Sequence, residues 1–145
     1  MSDEVCKALS RLVLGRKDTV AEDASGLILD RVADSILLAV ASRDDASIAA
    51  VRSYADIYGK DGVCHVWGST GRYRQYHAAL LNGAASRVLD FNDAYFGLDS
   101  SHPSDVIPAL FAVAQNEGRS VFEFICAVDI ASCVIVAFSD SVKSR

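Results

Sequence analysis

The chain has 145 residues and a mass of 15.5 kDa, which is the size of one domain. About half of its residues are hydrophobic (51%) and 23% are charged, so a disordered tail, a collagen-like repeat and a disulfide-stapled miniprotein are excluded. The net charge of −5, from 14 Lys and Arg against 19 Asp and Glu, disfavours nucleic acid as a partner, because duplex binding needs surplus cations.

The N-terminus, the most apolar stretch and the cysteines together favour a cytoplasmic protein. The N-terminus, Met-Ser-Asp-Glu-Val, is acidic where a secretory or mitochondrial signal would be basic. The most apolar stretch, Val121 to Phe138, contains Glu123 and Asp129, which indicates a buried helix rather than a membrane span. The four cysteines form no C-x-x-C pair and are expected to be reduced core residues: Cys6, Cys64, Cys126 and Cys133.

Apolar residues at helical spacing predict two helices in the first forty residues. The first is amphipathic, has its apolar face on Val5 to Val13 and ends near Gly15. The second runs from about Val20 to Ala41 and is capped by Asp18 or Thr19. This second helix is apolar on most sides, which is typical of a helix inside a core.

A third helix, a strand and a fourth helix are predicted next. Asp44 or Asp45 can cap a helix that covers Ala46 to Tyr58. The run Val63 to Trp67 is strand-like. An alanine-rich helix is then predicted from about Tyr76 to Leu89.

A polar loop and a proline-containing helix follow. The stretch Asp90 to Ser101 is polar and contains glycine, so we predict a loop there. Pro103 stands where a first helical turn would start. Pro108 should kink that helix or delay its true beginning, and Gly118 should end it.

The last predicted helix begins at a capping box of Ser120 and Glu123 and reaches about Phe138. We find no internal repeat and no linker, so residues 1–145 are predicted to form a single all-α domain, a helical bundle. Its helices are apolar on wider faces than a lone bundle of this size needs. We therefore expect that part of the burying surface is missing from the chain or comes from a partner.

The segment richest in chemistry joins the fourth predicted helix to the fifth. Asp90 and His102 lie twelve residues apart, and a loop of that length can fold back and bring its ends together. The start of a helix favours a neutral imidazole. Such an imidazole can act as a base near pH 7 while a nearby aspartate fixes its tautomer. Ser101 and Ser104, at the same helix end, offer hydrogen-bond donors to a substrate carboxylate.

Two other interpretations of this segment remain open from the residues alone. Asp90, Asn92 and His102 could simply cap helices and order the loop. Asp90, Asp93 and His102 could also ligate a metal, although their spacing does not enforce such a site. No metal is therefore assigned.

Three motifs resemble the MmgE/PrpD family, which includes 2-methylcitrate dehydratase and cis-aconitate decarboxylase. They are Ala78 to Ala85 (AALLNGAA), Leu89 to Asp93 (LDFND) and His102 to Asp105 (HPSD). The resemblance covers roughly Ile28 to Val128. The pairing of LDFND with HPSD at this spacing is more similar to the 2-methylcitrate dehydratase side of the family.

The resemblance implies the N-terminal part of a large helical domain, which the family combines with a smaller α+β lid, usually in a homodimer. It implies no cofactor, since the family uses neither a metal nor an iron–sulfur cluster. The implied reaction is dehydration of a small tricarboxylate such as 2-methylcitrate, a step of propionate catabolism. A small polycarboxylate is therefore the expected partner.

Family roles are carried over only to matching positions. Asp90 resembles the family's active-site aspartate, and His102 resembles the first of its active-site histidines. We expect His102 to be the acid/base and Asp90 to orient it or to contact substrate. Asn92, Asp93 and Ser104 are the candidate substrate-binding residues.

Two features depart from the family pattern. Ala94 stands where members commonly carry a threonine, which removes a hydroxyl that could contact substrate. The family's second histidine, its active-site lysines and its lid correspond to sequence beyond Arg145, and Ala131 to Asp140 lacks the G-Y-E-like pattern expected there. We therefore expect the N-terminal portion of an enzyme, with little or no activity alone.

The sequence leaves two alternatives to dehydration. One is a sister reaction of the same family, decarboxylation or epimerisation of a related acid. The other is a non-enzymatic helical module that uses its surplus apolar surface to dimerise or to bind a partner.

Overall fold

Helices account for most of the chain and confirm the predicted all-α class. The computed structural model describes residues 2–16, 18–20 and 24–142, and over these residues the chain forms six α-helices, two short antiparallel strand pairs and one 3-10 turn. The helices are α1 (Ser2–Arg16), α2 (Ala24–Ala41), α3 (Ala46–Tyr58), α4 (Gln75–Arg87), α5 (Ile107–Asn116) and α6 (Val121–Ser141). The strands are β1 (Lys60–His65), β2 (Arg72–Tyr73), β3 (Tyr95–Phe96) and β4 (Ser100–Ser101), and the 3-10 turn spans Pro103–Val106.

Local capping signals end and begin several helices where the sequence predicts. The Asp45 carboxylate accepts a hydrogen bond from the Ser47 N–H at 2.7 Å and caps α3. Gly118, just beyond α5, has a φ of +62°, a conformation that favours glycine. Ser120 and Glu123 form the predicted capping box of α6.

The start of α2 differs from the prediction. Thr19 and Val20 lie outside the helix, which spans Ala24–Ala41. Residues 21–23, where contacts of a cap at Asp18 or Thr19 would fall, lie outside the described residues. The predicted first turn of this helix at Val20 is therefore wrong.

The two prolines shape the approach to α5 as predicted. Pro103 opens the 3-10 turn and Pro108 lies in the first turn of α5, which begins at Ile107. A proline is tolerated there because the first N–H groups of a helix have no partner within the helix. The true α-helix therefore starts five residues after His102, and His102 itself precedes the 3-10 turn.

Helix α4 lies at the centre of the fold, with α2, α3 and α5 packed around it. Its small side chains allow close approach. Ala78 and Ala85 are buried, and Pro108 of α5 lies 3.9 Å from the position that a Cβ would take at Gly83. The larger buried side chains of the core come from the other elements as well: Ile28, Ile48, Trp67, Leu81, Ile107, Phe124 and Val128.

The strand predicted at Val63 to Trp67 is displaced towards the N-terminus, to β1. At the C-terminal end of β1, the side chain of Asn82 in α4 makes the hydrogen bonds that a neighbouring strand would make. The fully buried Asn82 side chain accepts a hydrogen bond from the Trp67 N–H at 2.9 Å and donates one to the His65 carbonyl at 3.2 Å. One helical side chain therefore satisfies two backbone groups that the strand leaves open.

The cysteines are all free, as predicted, but only part of the set is in the core. Cys64 and Cys126 are buried, and burial raises the pKa of both thiols, which makes them inert. Cys133 is half-buried and Cys6 is exposed. The prediction of a core position is therefore wrong for Cys6.

Helix α6 has the length and mean hydropathy of a membrane span, a weak signal that core helices share. It packs against α1, α2 and α5. Its buried Asp129 forms an ion pair with Arg16 of α1 at 2.6 Å. Between α1, α5 and α6 an apolar groove of about 690 Å³ stays open, lined mainly by Leu9, Val13, Leu110, Ile130 and Val134. This open groove agrees with the wide apolar faces seen in the sequence.

Candidate functional site

The loop between α4 and α5 is held down by a small hairpin that the sequence did not predict. Strands β3 and β4 pair, and the hairpin docks on the C-terminal end of α6. The Tyr95 hydroxyl donates to the Asp140 carboxylate at 2.9 Å, and the Asp99 N–H donates to the Ser139 carbonyl at 3.0 Å. The hydroxyls of Ser139 and Ser101 are hydrogen-bonded at 2.7 Å. This docking fixes the segment that leads directly into His102.

His102 is half-buried and its ring is oriented by the backbone. Its Nδ1 lies 2.6 Å from the carbonyl oxygen of Asp93. A carbonyl oxygen can only accept a hydrogen bond, so Nδ1 carries the proton. In the neutral imidazole Nε2 then holds the free lone pair. Among the described residues Nε2 has no hydrogen-bond partner, so this nitrogen is available as a proton acceptor.

Asp93 is held at its side chain as well as at its carbonyl. Its Oδ1 accepts hydrogen bonds from the N–H of the buried Ser104, at 3.1 Å, and from the Ser104 hydroxyl. Its Oδ2 is buried, has no hydrogen bond within the described part of the chain, and faces Nε of Arg31 at 3.7 Å. Asp93 thereby joins α2, the loop and the 3-10 turn at one point.

Arg87 ties the end of α4 to the same loop and turn. It donates to the Asn92 side-chain oxygen at 2.8 Å and lies 3.6 Å from the Asp105 carboxylate. The Asn92 amide nitrogen is 3.5 Å from both the Ser104 hydroxyl and the Asp105 carboxylate. Asn92, Asp93 and Ser104, the three predicted binding residues, are therefore brought together next to His102.

Asp90 lies apart from this cluster. It adopts a left-handed backbone conformation (φ +53°) and turns its carboxylate to solvent, with 84% of the side chain exposed. Its ion pair with Arg87 is long at 3.9 Å. The expectation that Asp90 orients His102 is therefore corrected: the Asp93 carbonyl does so, because the turn at Asp90 points the Asp90 side chain outward.

Sequence reasoning missed the two arginines of the site. Arg87 precedes Asp90 by one helical turn, so its proximity could have been read from the spacing. Arg31 lies on α2, far from the loop in sequence, and no local pattern points to it. The carbonyl of Asp93 has no sequence signature either, since every residue has one.

The site is polar and slightly anionic. Apart from His102, its described charged groups are two arginines, Arg31 and Arg87, and three aspartates, Asp90, Asp93 and Asp105. The metal site considered for Asp90, Asp93 and His102 does not form, because the Asp90 carboxylate faces solvent and Asp93 is bonded to Ser104. Over the part of the chain that the structure describes, no group of His, Cys, Asp or Glu side chains is arranged to hold a metal ion.

The sequence was compared with known proteins. Residues 13–142 match the family model of the MmgE/PrpD N-terminal domain. The cis-aconitate decarboxylase-like protein oryM of Aspergillus oryzae is 28% identical over 120 residues, which cover 82% of this chain and 24% of that protein. The aligned region therefore spans about a quarter of the length of this curated relative.

Proposed function

Because this chain belongs to the MmgE/PrpD family, we propose that it supplies the first half of the acid/base site of a lyase that acts on a small polycarboxylate. The observation that carries the proposal is the imidazole of His102, whose Nδ1 is bonded to the Asp93 carbonyl at 2.6 Å. This bond leaves Nε2 as the basic nitrogen, without a partner among the described residues, and fixes the ring plane.

The chemistry that suits this nitrogen is proton transfer at carbon. In the dehydration of 2-methylcitrate, Nε2 would take the proton of the breaking C–H bond, and that electron pair would form the new C=C bond. The hydroxide leaving from the neighbouring carbon needs a proton from a second acid and departs as water. The proposed role of His102 is that of the base in elimination.

The remaining predicted residues divide into two proposed roles. Asp90 and Asn92 are proposed as substrate contacts, since the Asp90 carboxylate is open to solvent and Asn92 is only half-buried. The Ser104 hydroxyl is bonded to Asp93 Oδ1, and Asp93 Oδ2 is buried beside Arg31. We propose that Asp93 and Ser104 hold the histidine in place rather than bind substrate through those atoms.

Decarboxylation is the second candidate reaction. It is favoured by the relative described as cis-aconitate decarboxylase-like. It would use the same nitrogen in the opposite direction: the C–C bond breaks, carbon dioxide leaves, and a protonated imidazole delivers a proton to the carbanion. For either reaction we propose a cytoplasmic homodimer as the working assembly.

The test is a hybrid enzyme, in which residues 13–142 replace the matching segment of a full-length 2-methylcitrate dehydratase of this family. We expect the hybrid enzyme to dehydrate 2-methylcitrate. We expect His102→Gln to lower kcat by about 10²–10⁴-fold, the usual contribution of a general base. Loss of water is followed by the ultraviolet absorbance of the alkene product.

The matched control is His65→Gln, because His65 is an exposed histidine of β1. It should leave kcat unchanged. A hybrid enzyme in which His102→Gln keeps the parent kcat would remove His102 from the chemistry and contradict the proposal. Release of carbon dioxide from cis-aconitate, with no dehydration of 2-methylcitrate, would favour the second candidate.

A further inference from the structure

We infer that Arg31 is a positioning residue, which keeps His102 in its Nδ1–H tautomer by holding the carboxylate of Asp93. The inference rests on the proposed role of His102 for its functional meaning. Its physical content is independent of catalysis and concerns three groups in series: a guanidinium, a carboxylate with its own backbone carbonyl, and an imidazole.

Asp93 connects Arg31 to His102 because its backbone carbonyl and its side-chain carboxylate have different partners. Its carbonyl accepts the Nδ1–H of His102 at 2.6 Å. Its carboxylate accepts from Ser104 through Oδ1 alone, while Oδ2 is buried and has no hydrogen bond to any residue that the structure describes. A buried carboxylate oxygen without a partner is costly unless a cation lies near it.

Arg31 is the cation in that position. Its Nε lies 3.7 Å from Asp93 Oδ2, and among the described residues no other Lys or Arg comes within 4 Å of this carboxylate. Arg31 projects from α2, which packs against the 3-10 turn. The guanidinium therefore reaches Asp93 from a helix that lies outside the loop between α4 and α5.

The consequence for His102 follows from geometry. Without Arg31, the buried Oδ2 of Asp93 has no cation near it, and water can reach it only if the backbone at Asp93 moves outward, which displaces the carbonyl of the same residue. The Nδ1–H bond then weakens. The ring relaxes towards the Nε2–H form, which free imidazole side chains favour and which presents a donor instead of a base to the substrate.

The test is ¹⁵N NMR of the histidine rings in the full 145-residue chain at pH 8, where an ordinary imidazole is neutral. The chain has three histidines, so His65→Gln and His77→Gln assign the signals. We expect His102 in the parent chain to show the Nδ1–H pattern. Arg31→Gln should shift it to mainly Nε2–H, and Arg31→Lys, which keeps the charge, should restore part of the Nδ1–H population.

Arg52→Gln is the matched control, since Arg52 is a half-buried arginine of α3, a helix that packs on α4 and β1. It should leave the His102 signals unchanged. An unchanged tautomer in a folded Arg31→Gln chain would overturn the inference. So would failure of both Arg31 variants to fold while Arg52→Gln folds, because Arg31 would then support the fold as a whole.

The outcomes for this inference and for the proposed function can be told apart. A hybrid enzyme insensitive to His102→Gln would end the proposed function and leave the tautomer shift in Arg31→Gln intact. An Arg31→Gln chain in which the His102 tautomer is unchanged would end the inference and leave His102 as the proposed base.

Discussion

Three aspartates stabilise different parts of this chain because their carboxylates meet different partners. Asp45 accepts a backbone N–H at the start of α3, Asp93 joins three elements around His102, and Asp129 pairs with Arg16 in the core. Each carboxylate accepts a hydrogen bond from an N–H group or neutralises the charge of an arginine.

The capping role of Asp45 predicts a measurable loss of stability. Asp45→Ala leaves the Ser47 N–H without its 2.7 Å partner and should cost about 1 kcal/mol, which lowers Tm by roughly 3–4 °C. The control is Asp44→Ala, since the Asp44 side chain is 88% exposed and pairs with the neighbouring, exposed Arg43. Its effect should be close to zero, and equal Tm losses in the two variants would contradict the capping role.

The hydrogen bond between Tyr73 and Asp56 predicts a stability difference that depends on pH. The Tyr73 hydroxyl donates to Asp56 at 2.7 Å and lowers the pKa of that carboxyl. A lowered pKa gives stability that is present above the ordinary carboxyl range and is lost as the pH falls through the folded value. The parent chain should therefore exceed Tyr73→Phe in stability at pH 7, with the gap narrowing below about pH 4.

The expected gap at pH 7 is about 1 kcal/mol, at the lower end for a charged acceptor because water screens the half-exposed Asp56 carboxylate. Urea denaturation at a series of pH values measures it. Tyr58→Phe is the control, since this tyrosine of α3 is exposed. A gap that stays constant from pH 7 to pH 3 would show that Asp56 does not sense Tyr73.

At the scale of elements, α4 organises its neighbours through one amide. Asn82 bonds the Trp67 N–H and the His65 carbonyl, so the end of β1 is fixed to the central helix. The same helix carries Arg87 at its end, which reaches Asn92 in the loop. The position of the candidate site therefore depends on how α4 packs.

Asn82→Ala should be among the more destabilising single substitutions of a polar residue in this chain. It leaves two backbone groups without partners in a buried environment and should cost about 2–3 kcal/mol. The matched substitution Asn116→Ala removes an exposed amide of α5 that donates to the adjacent, exposed Glu117 and should stay within about 0.5 kcal/mol of the parent. Similar denaturation midpoints for the two variants would contradict the linking role of Asn82.

The helices could be predicted from the sequence because their signals are local. The capping box at Ser120, the glycine at position 118 and the prolines before α5 each act within one turn. The site could be predicted only in part. The motif identifies the right loop, but the choice between Asp90 and Asp93 depends on the backbone turn at Asp90, and the contact of Arg31 depends on how α2 packs.

At the scale of the whole molecule, charge balance limits what the described site can do alone. Two arginines face three aspartates there, so a polycarboxylate would meet a surplus negative charge. Further cations are needed to hold such a substrate. We therefore propose that they come from outside this site, and expect the purified chain to show little or no turnover of 2-methylcitrate or cis-aconitate.

Deuterium exchange tests most directly whether His102 moves a proton at carbon. The hybrid enzyme is incubated with 2-methylcitrate in D₂O, and deuterium in the recovered substrate is measured by NMR. We predict that deuterium enters at the carbon that loses its proton, that His102→Gln slows this entry by at least about 10²-fold, and that His65→Gln leaves it unchanged. Equal rates of exchange in the parent hybrid enzyme and in His102→Gln would contradict the account.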